Sequence, residues 1–105
     1  MKVLSFLVVA ALTLLPAFGE DTIDEACAFN GIALNGKIQV VDSFPDIKVK
    51  TVDSFPDLKV KIVESFPNSC GEWQFVESFP DFKIQFVESF PDIKIKMVNS
   101  FPGLP

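Results

Sequence analysis

Carboxylates are the most frequent reactive groups in this sequence of 105 residues, which has fourteen Asp and Glu, two Cys and no His or Tyr. Without His, neither a Ser–His nor a Cys–His nucleophile can form, and zinc binding by Cys and His is excluded. Chemistry by paired carboxylates and cation binding by carboxylate rows are the remaining candidates.

The carboxylates recur in two rows. The first row is Asp42, Asp53, Glu64, Glu77 and Glu88, and the second is Asp46, Asp57, Asp81 and Asp92. Such rows could bind Ca²⁺, but they lack the Gly-rich spacing of calcium β-rolls. Glycoside hydrolysis needs two acids in different environments, and repeated acids have nearly the same environment. We therefore interpret the rows as turn caps and as partners for Lys48, Lys59, Lys83 and Lys94, and we expect no catalytic site, cofactor or metal.

An internal repeat underlies these rows. Val-(Asp/Glu/Asn)-Ser-Phe-Pro begins at Val41, Val52, Val63, Val76, Val87 and Val98, with spacings of 11, 11, 13, 11 and 11 residues. Between the copies, apolar and polar residues alternate, as in Phe82-Lys83-Ile84-Gln85-Phe86, which is typical of a strand with one buried face. Trp73 occupies an inward position of this pattern, so core packing is favoured over a binding role.

The turns between the strands are Ser-Phe-Pro-Asp, because Pro cannot lie inside a central strand and Ser and Asp bond nearby backbone groups. Six exposed Phe side chains would be costly, so the pattern predicts that they are buried as a structural turn core. These residues are Phe44, Phe55, Phe66, Phe79, Phe90 and Phe101.

The repeats favour an all-β, compact closed or toroidal domain. An open meander would leave two bare edges, and an eleven-residue parallel coil would be tight around a packed interior. A closed or wound-back sheet lets the inward faces meet. Asn35-Gly36 is a good hairpin turn, which predicts a seventh strand in 31–36 paired with 37–42.

The chain divides into a signal peptide helix (1–19), an N-terminal segment with one Cys (20–36) and the six-copy β-repeat domain (37–105). Lys2, the apolar run 3–15 and the small residues before Glu20 predict export and cleavage after Gly19. In an oxidising compartment Cys27 and Cys70 are expected to form a disulfide. The sequence thus predicts a secreted or periplasmic protein without a membrane span after cleavage.

Charge limits the partners further. Removal of Lys2 leaves eight Lys against fourteen carboxylates, a net charge of about −6, which disfavours nucleic acid because its phosphates require cations. The partner is then an unknown protein or surface. We expect a non-catalytic secreted structural or binding module; a small secreted inhibitor or toxin-like effector is the alternative.

The sequence resembles the bacterial septoil-knot domain family over residues 37–104. The resemblance rests on the Ile-Lys-Val-Lys ladder, the repeated Val-Asp/Glu-Ser-Phe-Pro-Asp, the irregular copy with Gly71-Glu72-Trp73-Gln74 and the ending 98–103. It implies a small toroidal β-fold whose backbone forms a deep seven-crossing knot. It implies no activity and no site residues.

Overall fold

The computed structural model describes residues 22–105, which consist of strands, turns and extended segments. The predicted signal peptide of residues 1–19 lies outside the described residues. The strands are β1 (Ala28–Phe29), β2 (Ile32–Ala33), β3 (Gly36–Val40), β4 (Ile47–Thr51), β5 (Leu58–Ile62), β6 (Glu72–Phe75), β7 (Phe82–Phe86) and β8 (Ile93–Met97). The prediction of an all-β fold is confirmed.

Strands β3 to β8 form a closed barrel in the order β3-β6-β5-β8-β4-β7, and every neighbouring pair is parallel. Each strand pairs with one neighbour through its first residues and with the other through its last. In β3, Gly36 pairs with Trp73 of β6, whereas Val40 pairs with Ile84 of β7. This stagger tilts the strands around the barrel axis, and closure removes the sheet edges. The predicted closed sheet is confirmed.

The chain goes round the barrel twice. Strands β3, β4 and β5 occupy alternate places in the ring, and β6, β7 and β8 fill the places between them. Consecutive strands are therefore two places apart, except for β5 and β6, which are neighbours. The turn between these two strands contains the two extra residues of the irregular copy. The spacing of thirteen residues thus marks the change from the first lap to the second.

A turn that joins strands two places apart crosses the strand between them. In the turn of residues 41–46, Val41 N donates to Ile84 O at 2.8 Å and Asp46 N donates to Lys83 O at 2.9 Å. Carbonyl groups of consecutive strand residues point to opposite sides of the strand. The turn therefore begins on one side of β7 and ends on the other, and it satisfies backbone groups that the staggered pairing leaves free.

All six turns begin at equivalent places on the barrel. The Val N–H that starts each turn donates to the carbonyl of the central inward residue of a different strand. The pairs are Val41–Ile84, Val52–Ile95, Val63–Trp73, Val76–Ile38, Val87–Val49 and Val98–Val60. One turn lies against every strand, so the turns surround the barrel as a single layer.

The barrel interior is filled by the inward residues of the strands. Those that are at most 3% exposed are Ile38, Ile47, Val49, Leu58, Val60, Trp73, Phe82, Ile84, Ile93 and Ile95. Trp73 packs edge-on against Phe82, with ring centroids 5.9 Å apart, and its Nε1 donates to Leu34 O at 3.1 Å. The predicted alternation and the predicted core position of Trp73 are confirmed.

The segment before the barrel forms a small hairpin of its own. Strands β1 and β2 pair antiparallel around Asn30 and Gly31, whose φ angles of 49° and 82° suit a tight two-residue turn. The hairpin predicted at Asn35-Gly36 is therefore wrong. Gly36 is the first residue of β3, and a Cβ built on it would lie 2.3 Å from a carboxylate oxygen of Asp81. The missing side chain of Gly36 leaves room for the Asp81 carboxylate, and the residue does not form a hairpin turn.

The prediction that the turn phenylalanines are buried is also wrong. Phe44, Phe55, Phe79 and Phe90 are each 91% exposed, Phe66 is 80% exposed and Phe101 is 83% exposed. The physical reason is space, because the strand residues already fill the interior and each turn lies outside a strand. The Val and Pro of each turn are half-buried instead.

Candidate binding surface

The six turn phenylalanines form a belt of exposed rings around the barrel, here called the Phe belt. It consists of Phe44, Phe55, Phe66, Phe79, Phe90 and Phe101, one in each of the six equivalent turns. Burial of a Phe side chain contributes roughly 1.5–3 kcal/mol. Contact with a partner that buried all six rings would therefore gain a large free energy. Exposed rings in this number make the Phe belt a candidate interaction surface.

The backbone of each phenylalanine in the Phe belt has an unfavourable conformation. All six Phe residues have φ between 54° and 56°, in the left-handed region that L-residues rarely adopt. Each also precedes Pro, which disfavours compact backbone angles at this position. Such conformations cost about 1–3 kcal/mol each and persist where the surroundings enforce them, often at functional sites. The turns therefore present the rings outward at a cost to stability.

A carboxylate lies two residues before five of the six rings. The first carboxylate row, which is Asp42, Asp53, Glu64, Glu77 and Glu88, is exposed, and Asn99 takes the sixth position. The hydrogen bonds among residues 22–105 do not include these five carboxylate groups. We call each unit of acid, serine and phenylalanine an acidic Phe motif. Each motif presents a negative group and an aromatic ring to solvent.

The second carboxylate row has a structural role. Lys37 N donates to Asp81 Oδ2 and Asp81 N donates to Lys37 O, both at 2.7 Å. Asp46, Asp57 and Asp92 make the same reciprocal pair with the backbones of Lys83, Lys94 and Lys48. The capping interpretation holds for this row, but the partner is the backbone of a crossed strand 37 or 44 residues away rather than a lysine ammonium.

Lys59 differs from the other three lysines predicted as partners because its backbone pairs with the backbone of Gly103 instead of with an aspartate, with both N···O distances 2.8 Å.

Within residues 22–105 no group of three or more His, Cys, Asp or Glu is placed to hold a metal ion. In the same part of the chain, no helix has the length and hydropathy needed to cross a membrane.

A disulfide joins the N-terminal segment to the irregular repeat. Cys27 and Cys70 are bonded, with Cα atoms 6.0 Å apart, which is the predicted pairing. Close by, Gly71 N donates to Leu34 O at 3.0 Å. The N-terminal segment is thus fixed against β6.

Sequence reasoning missed the Phe belt as a surface, although a signal was present. Each regular repeat already supplies two or three inward apolar residues from its strand, as in Phe82, Ile84 and Phe86. The third of these is itself partly exposed in β7, where Phe86 is 43% exposed. A six-stranded barrel of such repeats has no room for another six rings, and this volume argument would have placed the turn phenylalanines outside.

The fold and the repeats define a class of protein, a closed all-parallel barrel of six short β-repeats wound in two laps. Residues 31–105 match the family model of the 7(1) septoil knot domain, and the chain belongs to this family. A similar protein is the "Uncharacterized protein slr1025" of Synechocystis sp., 71% identical over 55 residues. The match covers 51% of this chain and 49% of that protein, so the chain spans about half the length of this curated relative.

Proposed function

We propose that this protein is an exported, non-catalytic module that binds a partner through the Phe belt. The observation that carries the proposal is the exposure of six rings, 80–91% each, at equivalent turns. A role in the core cannot explain the recurrence of Phe here, because the rings contribute little to the core. A role in contact with a partner explains both their recurrence and the unfavourable backbone that presents them.

The repeat symmetry supports binding rather than catalysis. Catalytic acids and bases need environments that differ, whereas the six turns give their side chains nearly the same surroundings. Binding gains from repetition, since linked weak contacts raise the overall affinity without any single strong contact. The predicted signal peptide and the Cys27–Cys70 disulfide support export. Protein recovered outside the cytoplasm should therefore begin at or near Glu20, as intact mass would show, and a full-length cytosolic form would contradict export.

The test compares two variants of the mature protein, each with four substitutions. One replaces Phe44, Phe55, Phe79 and Phe90 by Asn, because Asn tolerates the left-handed backbone and removes the ring. The control replaces one exposed lysine by Gln on each strand that these four turns cross: Lys83, Lys94, Lys37 and Lys48. Both variants should keep the parent's Trp73 fluorescence and denaturation midpoint, or exceed that midpoint.

Binding is measured as the saturable retention of each labelled protein on the cell-envelope fraction and on the concentrated extracellular fraction of the native source. We expect the parent and the lysine control to be retained and the Asn variant to lose retention at least tenfold. Equal retention of the folded Asn variant would overturn the proposal. Absence of saturable retention of the parent on both fractions would also overturn it.

A further inference from the structure

We infer that the partner is a basic polypeptide whose arginine side chains bind the acidic Phe motifs; this inference rests on the proposed function and specifies the partner. The motif couples two groups that recognise the same cation. An Arg guanidinium stacks on an aromatic face and pairs with a carboxylate through parallel hydrogen bonds. In the motif of Asp42 and Phe44, only Ser43 separates the two groups, and all three residues are exposed.

Charge complementarity favours this partner over the other occupants of an exposed aromatic belt. The chain has a formal net charge of −5 at pH 7, and five carboxylates lie in the same belt as the rings. A bilayer of anionic lipids would be repelled by these carboxylates. A second copy of the chain would bring the same acidic belts together, which like-charge repulsion disfavours. A basic polypeptide can both stack cationic side chains on the rings and pair them with the carboxylates.

The arrangement of the motifs favours a partner with several arginines. Five acidic Phe motifs lie at equivalent turns around one barrel, and their carboxylates accept no hydrogen bond from other described residues. An exposed cation–π contact is weak, and each motif is expected to contribute about a two- to fivefold change in affinity. A chain that contacts several motifs at once multiplies these factors. The left-handed backbone fixes the direction of each Cα–Cβ bond before binding, so no backbone entropy of the turn is lost on association.

The sixth turn provides a control inside the molecule. Asn99 replaces the carboxylate before Phe101, so this turn offers a ring without the acid. Phe90→Asn should therefore weaken binding more than Phe101→Asn does. Conversely, Asn99→Asp completes a sixth motif, and the added exposed ion pair should tighten binding about two- to fivefold. This gain does not depend on damaging the fold, so it separates binding from stability.

The experiment titrates the mature, disulfide-bonded protein with a synthetic peptide of alternating Arg and Leu, followed by calorimetry or fluorescence anisotropy. Matched peptides carry Lys, Gln or Glu in place of Arg. We expect the Arg peptide to bind best, the Lys peptide several-fold more weakly, and the Gln and Glu peptides not measurably. Raising the salt concentration should weaken binding of the Arg peptide because exposed charges are screened. Neutralising the first carboxylate row with Asn and Gln should weaken it at least tenfold.

Other outcomes would overturn the inference. These are equal binding of the Gln and Arg peptides, unchanged affinity in Asn99→Asp, preferential binding to phosphatidylglycerol vesicles, and self-association of the free protein by sedimentation. If the Phe-to-Asn variant loses retention on the native fractions while the Arg peptide does not bind, the proposed function stands and the basic partner is refuted. If both tests fail, the Phe belt is not a binding surface.

Discussion

Replacement of Phe79 by glycine is expected to make the barrel more stable, although it removes a large apolar side chain. Phe79 is 91% exposed, so its deletion returns almost no buried surface to water. Its φ is 54°, a conformation that costs an L-residue roughly 1–2 kcal/mol and that glycine adopts freely. Glycine also gives the unfolded chain more freedom, which offsets part of this gain. We expect a net increase of about 1 kcal/mol in the free energy of unfolding.

Urea denaturation of the oxidised protein measures this change, with the fluorescence of the buried Trp73 as the probe. The matched control is Ile84→Ala in the next strand, because Ile84 is 0% exposed. Ile84→Ala removes buried methyl and methylene groups and leaves a cavity in the core, so the control should lower the free energy of unfolding by about 2–5 kcal/mol. If Phe79→Gly raises the free energy of unfolding and Ile84→Ala lowers it, the ring of Phe79 does not contribute to the core, although the two residues are only five positions apart.

The effect should accumulate over distant turns. Glycine at Phe44, Phe55, Phe79 and Phe90 together should add roughly 3–4 kcal/mol, because widely separated substitutions are nearly additive. The same variant should lose binding to the native fractions, so stability and binding would change in opposite directions, which is the expected behaviour of a strained binding site. A loss of about 3–5 kcal/mol for Phe79→Gly would refute the reasoning, since this is the cost of removing a buried ring.

Three further predictions concern the parts that hold the barrel together. Replacing both Cys27 and Cys70 by Ala should lower the free energy of unfolding by up to about 4 kcal/mol; an unchanged urea midpoint would show that the N-terminal segment is not fixed through the disulfide. Gly71→Ala should cost about 3 kcal/mol or more, because its Cβ would lie 2.4 Å from a backbone carbonyl oxygen. Gly31 has a similar φ and open space around its Cβ, so Gly31→Ala should cost only about 1–2 kcal/mol. Equal losses of stability at the two glycines would show that the Gly71 Cβ does not collide with the carbonyl oxygen. Asp81→Ala should cost about 1–3 kcal/mol and Asp81→Asn less, as two-state thermal melts would show; no difference between them would argue against its accepted hydrogen bond.

Alternation within each repeat was enough to predict the strands, their inward faces and the closure of the sheet. Ile84, between the outward Lys83 and Gln85, is an example in which the period of two determines burial. The pairing of the cysteines was also predictable, because the sequence contains only two.

The order of the strands could not be predicted from the repeats themselves. Near-identical repeats offer almost the same pairing energy to every partner, so local sequence does not distinguish Ile38 paired with Phe82 from Ile38 paired with Ile47. The spacing of thirteen residues carried this information, but only the ring order shows what it means. The hairpin prediction at Asn35-Gly36 failed for a related reason, because a glycine needed for close packing has the same sequence signal as a glycine needed for a turn.

The two interleaved laps have a consequence for how the chain can fold and evolve. Every strand pair of the barrel joins one of β3, β4 and β5 to one of β6, β7 and β8. The first three repeats therefore have no partners among themselves as they leave the ribosome, and β-pairing must wait for the second half of the chain. High contact order of this kind slows folding.

Evolution of the repeat number is restricted by the same pairing. A solenoid can gain or lose a unit at its end, since each unit contacts only its neighbours in sequence. Here one added or deleted repeat would leave the two laps unequal in number, and two strands of the longer lap would each lack a partner on one side. The topology thus requires an even number of copies, and duplication of single repeats, the usual route by which repeat proteins diversify, is closed to this fold.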